Sequence, residues 1–174
     1  MHNNLSIKIV NPVLGDERAI VTVLKKSWLD TYLNKEYDIT IEDLLSKDYD
    51  SDKKLNQWRE TILTNGSGEK YICVAKDDDE VVGFCMAEKG ERVDRIKTIY
   101  VLPPYKKLGI GSRMLTECMN WLGKNKNIYL EVASYNEGAI NFYKKHGFCV
   151  LNESLYYKEL PSGKKMPLIG MQLF

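Results

Sequence analysis

Polar and apolar residues alternate over residues 6–10 (Ser-Ile-Lys-Ile-Val), the two-residue period of a half-buried strand. Asn11-Pro12 and Gly15-Asp16 then interrupt it. Over residues 17–33 the apolar positions Ile20, Val21, Val23, Leu24, Trp28 and Leu29 fall at helical spacing, with Asp16 placed as the cap. Trp28 and Tyr32 are four apart and share one face of this helix. Thr40 is placed to start a short helix over 41–45, and Leu55, Trp58 and Ile62 line one side of a helix over 55–63. Asn65-Gly66-Ser67-Gly68 ends it as a loop. Segments 71–75 and 81–87 flank an aspartate-rich turn and predict a hairpin. A strand over 95–101 stops at Pro103-Pro104. Helices over 109–122 and 138–146 follow, separated by a strand over 128–132, and Gly147 is the stop of the second. Segments 148–160 and 167–174 predict two last strands joined at Pro161-Ser162-Gly163. This order describes an α/β chain, a mixed sheet with helices on its faces.

Composition narrows the function without naming it. A length of 174 residues suits a single domain spanning 1–174. With 25 Lys+Arg against 24 Asp+Glu, the formal net charge of +1 argues against a bulk electrostatic nucleic-acid binder. His2 and His146 are too few and too scattered for a zinc site, so no metal is expected. Cys73, Cys85, Cys118 and Cys149 form no C-x-x-C pair and each sits in an apolar stretch, the setting of a buried free thiol. No run approaches the ~18 apolar residues of a membrane span. Met1-His2-Asn3-Asn4 does not read as a signal peptide, which points to a cytoplasmic protein and makes the sequons at Asn65 and Asn152 chance matches.

The segment with most chemistry runs from Ile99 to Leu115: Ile99-Tyr100-Val101-Leu102-Pro103-Pro104-Tyr105-Lys106-Lys107-Leu108-Gly109-Ile110-Gly111-Ser112, then Arg113-Met114-Leu115. A strand ends and a helix begins across a turn with two glycines. Helix-start N–H groups have no internal acceptor, and with the helix dipole they favour phosphate. Lys106 and Lys107 add positive charge. A Walker loop would need a lysine between Gly111 and Ser112. A dinucleotide fingerprint would need a glycine where Met114 stands. Alone, the glycine pair reads equally as a plain helix-start turn.

The wider pattern, Ile-Tyr-Val-x-Pro-x-Tyr-Lys-x-x-Gly-Ile-Gly-Ser-x-x-Leu, resembles the acetyl-CoA segment of the GNAT superfamily of N-acetyltransferases. A second block, Leu130-Glu131-Val132 followed by Asn136, Ala139-Ile140, Phe142-Tyr143, Lys145 and Gly147-Phe148, resembles that family's other coenzyme A motif. Lys106 departs from the family's usual Gln or Arg. The resemblance is dense over 71–174 and weak before it, with looser likeness to polyamine acetyltransferases of the PaiA type and to ribosomal-protein-alanine acetyltransferases. It implies a mostly antiparallel sheet of six or seven strands, splayed between the fourth and fifth, with acetyl-CoA entering the gap as co-substrate. It assigns the acetyl-CoA core to 71–174 and the acceptor side to helices within 16–64.

The resemblance also implies roles. Ile99, Tyr100 and Val101 run along the pantetheine arm, with a backbone N–H of Tyr100 or Val101 on the acetyl carbonyl. Lys106, Lys107, Leu108, Gly109, Ile110, Gly111 and Ser112 hold the phosphates, and Asn136, Tyr143 and Lys145 complete the cofactor site. Tyr143 is the candidate general acid, with core packing beside Phe142 as its plainer role. Glu131 is the candidate general base, since a carboxylate on an apolar strand invites a raised pKa. Glu88, a water chain and a structural ion pair for Glu131 are the alternatives. Asn136 serves equally as a helix cap.

The acceptor is a primary amine. Trp28, Tyr32 and Glu88 are its candidate contacts, and the acidic residues within 36–52 suit a cationic small amine such as a polyamine, with Trp28 in the core and the acidic residues on a solvated face as the plainer reading. A protein α-amine and a non-catalytic acyl-CoA sensor are the other readings. No nucleic-acid or membrane partner is expected, and the chain is a monomer or a homodimer.

Overall fold

The computed structural model describes residues 6–151 and 155–174. Met1 to Asn4 and the Asn152 sequon lie outside them. Eight strands form one sheet: β1 (Ile7–Val10), β2 (Lys70–Asp77), β3 (Glu80–Glu88), β4 (Asp94–Val101), β5 (Ile128–Ala133), β6 (Cys149–Val150), β7 (Tyr156–Glu159) and β8 (Lys165–Leu173). Five helices flank it: α1 (Glu17–Tyr32), α2 (Ile41–Leu45), α3 (Asp52–Leu63), α4 (Ile110–Leu122) and α5 (Glu137–Lys145). The order across the sheet is β1-β2-β3-β4-β5-β8-β6, with β7 also paired to β8.

The strand count exceeds the expected six or seven because the predicted strand over 148–160 is two strands. β6 pairs with the C-terminal end of β8 and β7 with its N-terminal end. Both residues of the short edge strand β6 are exposed, so Cys149 is an exposed thiol, whereas Cys73, Cys85 and Cys118 are buried as expected.

All strand pairs are antiparallel except β4 with β5. That parallel pair is joined only at Asp94↔Ile128 and Arg95↔Tyr129, and beyond Arg95 the strands diverge. Two features set the divergence. The β3–β4 register shifts between Met86 and Ala87, and such an irregularity sharpens the twist of the strand it touches. Buried Asp94 clasps the closed end: its N–H donates to Asn127 (3.0 Å), its carboxylate accepts from the Gly90 N–H (3.1 Å), and the Lys126 ammonium lies 3.9 Å away.

Apolar faces fill both sides of the sheet. Phe84 meets Trp58 of α3 edge-on, with ring centroids 5.6 Å apart. On the other side, a Cβ at Gly83 would stand 3.2 Å from the Met114 side chain of α4, so only glycine admits that helix so closely. Asp16 does not cap α1 with its side chain. It accepts from the Val13 N–H (2.9 Å) and pairs with Lys76 (2.8 Å), tying the start of α1 to β2. Thr40 and Asp43 form a reciprocal capping box on α2.

Candidate active site

The diverging strands line a cleft of about 1030 Å³. Beyond Arg95, the edge of β4 that faces β5 has no strand partner among the described residues. Its backbone donors and acceptors are therefore open to a bound molecule.

One end of the cleft is built by the turn after β4. Leu102 leads into a single 3₁₀ turn over Pro103–Tyr105, and the Tyr105 hydroxyl donates to Asp77 (3.0 Å). Lys107 has φ +64° and Gly109 φ +76°, so the chain reverses twice in the left-handed region before α4 starts. Such alternation turns successive N–H groups inward and makes an anion-holding concavity. A Cβ at Gly111 would lie 3.5 Å from the Phe142 ring, so the start of α4 sits close against α5. These features fit a pyrophosphate held mostly by backbone. Lys106, Lys107, Gly109, Ile110, Gly111 and Ser112 line the cleft, and so do Asn136, Tyr143 and Lys145. Leu108 does not; its side chain is 51% exposed. Lys106 pairs with Asp30 of α1, which engages part of the charge expected for a phosphate. The Asn136 side chain accepts from the Ala139 N–H (3.1 Å), capping α5.

The middle of the cleft is aromatic. The Trp28 indole N–H donates to the Tyr100 hydroxyl (2.9 Å), which shares a 3.2 Å bond with the Tyr32 hydroxyl. The Tyr135 hydroxyl donates to the Tyr32 carbonyl (3.1 Å). Burial pushes the hydroxyls of Tyr100 and Tyr143 well above the ordinary tyrosine value, so both are neutral donors at neutral pH. Ile99 and Val101 line the same cleft.

The remaining wall holds Glu131, whose side chain is exposed to the cleft and not enclosed in an apolar strand face. The buried Tyr156 hydroxyl faces it. Burial raises that hydroxyl's pKa, and the nearby Glu131 and Tyr129 push it the same way. Glu88 is not part of the cleft; it pairs with Lys97 at 3.4 Å on the sheet margin. None of the acidic residues within 36–52 lines the cleft either. Asp43 is spent on the Thr40 cap, Asp48 bonds Ser51 and Asp38 pairs with Lys164.

In their place stands a lysine that the sequence pattern did not single out. The Lys47 ammonium lies 3.8 Å from the centre of the Trp28 ring. Burial, with Lys158 and Lys54 nearby, pulls its pKa down to about 8. Lys158 of β7 also lines the cleft. A lone lysine between acidic residues carries no sequence signal; only the aromatic surface beneath it marks it.

Residues 29–148 match the model of the acetyltransferase (GNAT) family. The chain belongs to that family. Among curated GNAT relatives, it is 41% identical over 91 residues to probable N-acetyltransferase san of Drosophila melanogaster, covering 48% of this chain and 50% of that protein. It is 44% identical over 69 residues to N-alpha-acetyltransferase 50 of Danio rerio, covering 37% of this chain and 41% of that one. The matches thus span half or less of those proteins. The fold resembles the PaiA N-acetyltransferase of Thermoplasma acidophilum, solved in complex with coenzyme A, at TM-score 0.74 and 22% identity over 97% of this chain and 98% of that one. That likeness is one of fold. Among the described residues, no cluster of His, Cys, Asp or Glu could hold a metal, and no helix is long and apolar enough to cross a membrane.

Proposed function

We propose that this chain transfers the acetyl group of acetyl-CoA to the α-amine of a polypeptide N-terminus. The observation that carries the transfer is the open edge of β4 lying between the α4 turn and the Glu131–Tyr143 pair in one cleft. The N–H groups of Gly109, Ile110, Gly111 and Ser112, with Lys107 and Lys145, hold the phosphates. The β4 edge at Ile99, Tyr100 and Val101 pairs with the pantetheine arm, and a backbone N–H of Tyr100 or Val101 receives the charge growing on the acetyl oxygen. Glu131 takes a proton from the amine as its nitrogen bonds the acetyl carbon. Tyr143 gives its hydroxyl proton to the sulfur as the C–S bond breaks. The acetyl-CoA core is 71–174 and the acceptor side 16–64, within a cytosolic protein.

The choice of amine rests on charge. A polyamine needs several carboxylates, yet among the described residues the acids lining the cleft are Glu131 and Asp30; Asp30 is engaged by Lys106, and the cation Lys47 lines the same cleft. A peptide α-amine, with a pKa of about 7.7–8.0, is partly unprotonated at neutral pH and needs only one weak base. The Danio rerio relative, an N-alpha-acetyltransferase, supports this reading.

An acceptor panel tests it: free-thiol release from acetyl-CoA with spermidine, amino acids and peptides starting in Ala, Ser or Met. Peptide-dependent release is expected, and turnover of spermidine with none of any peptide would overturn the reading. Glu131→Gln and Tyr143→Phe are each expected to slow turnover about 10²–10⁴-fold with acetyl-CoA binding retained. Full activity in both variants would reject their roles.

A further inference from the structure

Lys47 is a half-buried cation without a carboxylate partner among the described ion pairs. Its ammonium rests on Trp28 and stands 5.5 Å from the Tyr49 ring centre. After burial, the cations Lys158 of β7 and Lys54 of α3 lower its pKa, so repulsion adds to the cost of its burial. Lys158 also has no acidic partner within the described pairs and lines the same cleft. Two like charges converging on one cavity, one of them held against rings, have no anion among the described ion pairs to relieve them.

The strand register locates Lys158 relative to Glu131. Glu131 lies opposite Gly170 of β8, and Lys158 lies opposite Met166 on the other side of β8. Gly170 and Met166 are an even number of residues apart, so both side chains share a sheet face. At about 3.3 Å per residue along β8 and about 4.8 Å per strand across it, their Cα atoms are about 16 Å apart. The two side chains close part of that span and leave on the order of 10 Å between charges. A free amino acid cannot bridge it, because its amine and carboxylate share one carbon. A carboxylate on the second or third residue of an extended peptide does, since each residue adds about 3.3–3.6 Å.

We propose that Lys47 and Lys158 form a subsite selecting an acidic side chain at the second or third residue of the acceptor peptide. This rests on the N-terminal reading above and specifies its substrate class.

The test compares kcat/KM for three peptides that differ only at positions two and three: Ser-Asp-Glu, Ser-Asn-Gln and Ser-Lys-Lys, each with the same neutral tail, and for free glutamate. The acidic peptide is expected to exceed its amide counterpart by about tenfold or more, chiefly through KM, with the lysine peptide poorest. Lys47→Gln and Lys158→Gln should each shrink that ratio several-fold, Lys47→Arg should restore it, and Lys158→Glu should favour the lysine peptide. Equal values for acidic and amide peptides in the unmodified protein would overturn the subsite. A ratio unchanged in both glutamine variants would overturn its assignment to these lysines. Free glutamate acetylated as well as the acidic peptide would overturn the spacing. Activity on spermidine with no peptide acetylated is a different result, because it removes the N-terminal reading itself.

Discussion

Tyr100→Phe removes one oxygen atom and is expected to loosen the wall between the two halves of the cleft. That oxygen accepts the Trp28 indole N–H at 2.9 Å and bonds the Tyr32 hydroxyl at 3.2 Å. Trp28 is 5% exposed, so its N–H is largely shielded from water. A buried donor left without an acceptor costs about 1–3 kcal/mol. For a domain of this size each kcal/mol lowers Tm by about 2–4 °C, so the expected fall is about 2–12 °C. Tyr32→Phe is the control. It removes only the shared hydroxyl bond and leaves the Trp28 bond intact, so it should cost about 0.5–1.5 kcal/mol. Because the two hydroxyls share one bond, the double variant should cost less than the two singles added. Urea unfolding of the four proteins measures these values. A Tyr100→Phe protein within about 0.5 kcal/mol of the parent, outside the lower bound of an unpaired buried donor, would refute the network. So would a Tyr32→Phe protein as destabilised as Tyr100→Phe.

Two further outcomes follow from the same geometry. Lys47, with a pKa of about 8 and facing the cations Lys158 and Lys54, loses its positive charge as pH rises through that value. The preference for an acidic over an amide peptide should therefore decline between pH 7 and pH 9; taking the ratio cancels titration of the acceptor amine, and a flat ratio would contradict the role given to Lys47. Asn136→Ala removes the side-chain acceptor at the start of α5 and should lower stability by about 1 kcal/mol in denaturant titration, with no change if the cap is idle.

The element order and the α4 turn were legible along the chain because they depend on neighbours close in sequence. Helical spacing over α1 and α4, the Thr40 start of α2 and the glycine pair before α4 all act within a few residues. The strand over 148–160 misled, because its division into β6 and β7 is decided by β8, its pairing partner. The acidic residues within 36–52 read as either an acceptor site or a solvated face, and the fold keeps them out of the cleft. Composition shows their charge, but whether a carboxylate faces a cavity or a cap depends on what folds against it.

Local pattern thus established an α/β chain with a glycine-bearing turn before α4, and the family resemblance supplied the coenzyme A reading of that turn and of the block at 130–148. Tertiary structure alone decided the rest. The splay exists because β4 and β5 are held together only at Asp94 and Arg95. Tyr100, expected to act through its backbone, also carries the hydroxyl that joins Trp28 to Tyr32, residues about seventy positions away in the chain. Lys47 acquires its character from Trp28 and Lys158, which no local window brings near it. Hydrogen-bonding and charge depend on distance in space, and the chain's own order specifies that distance only across a few residues.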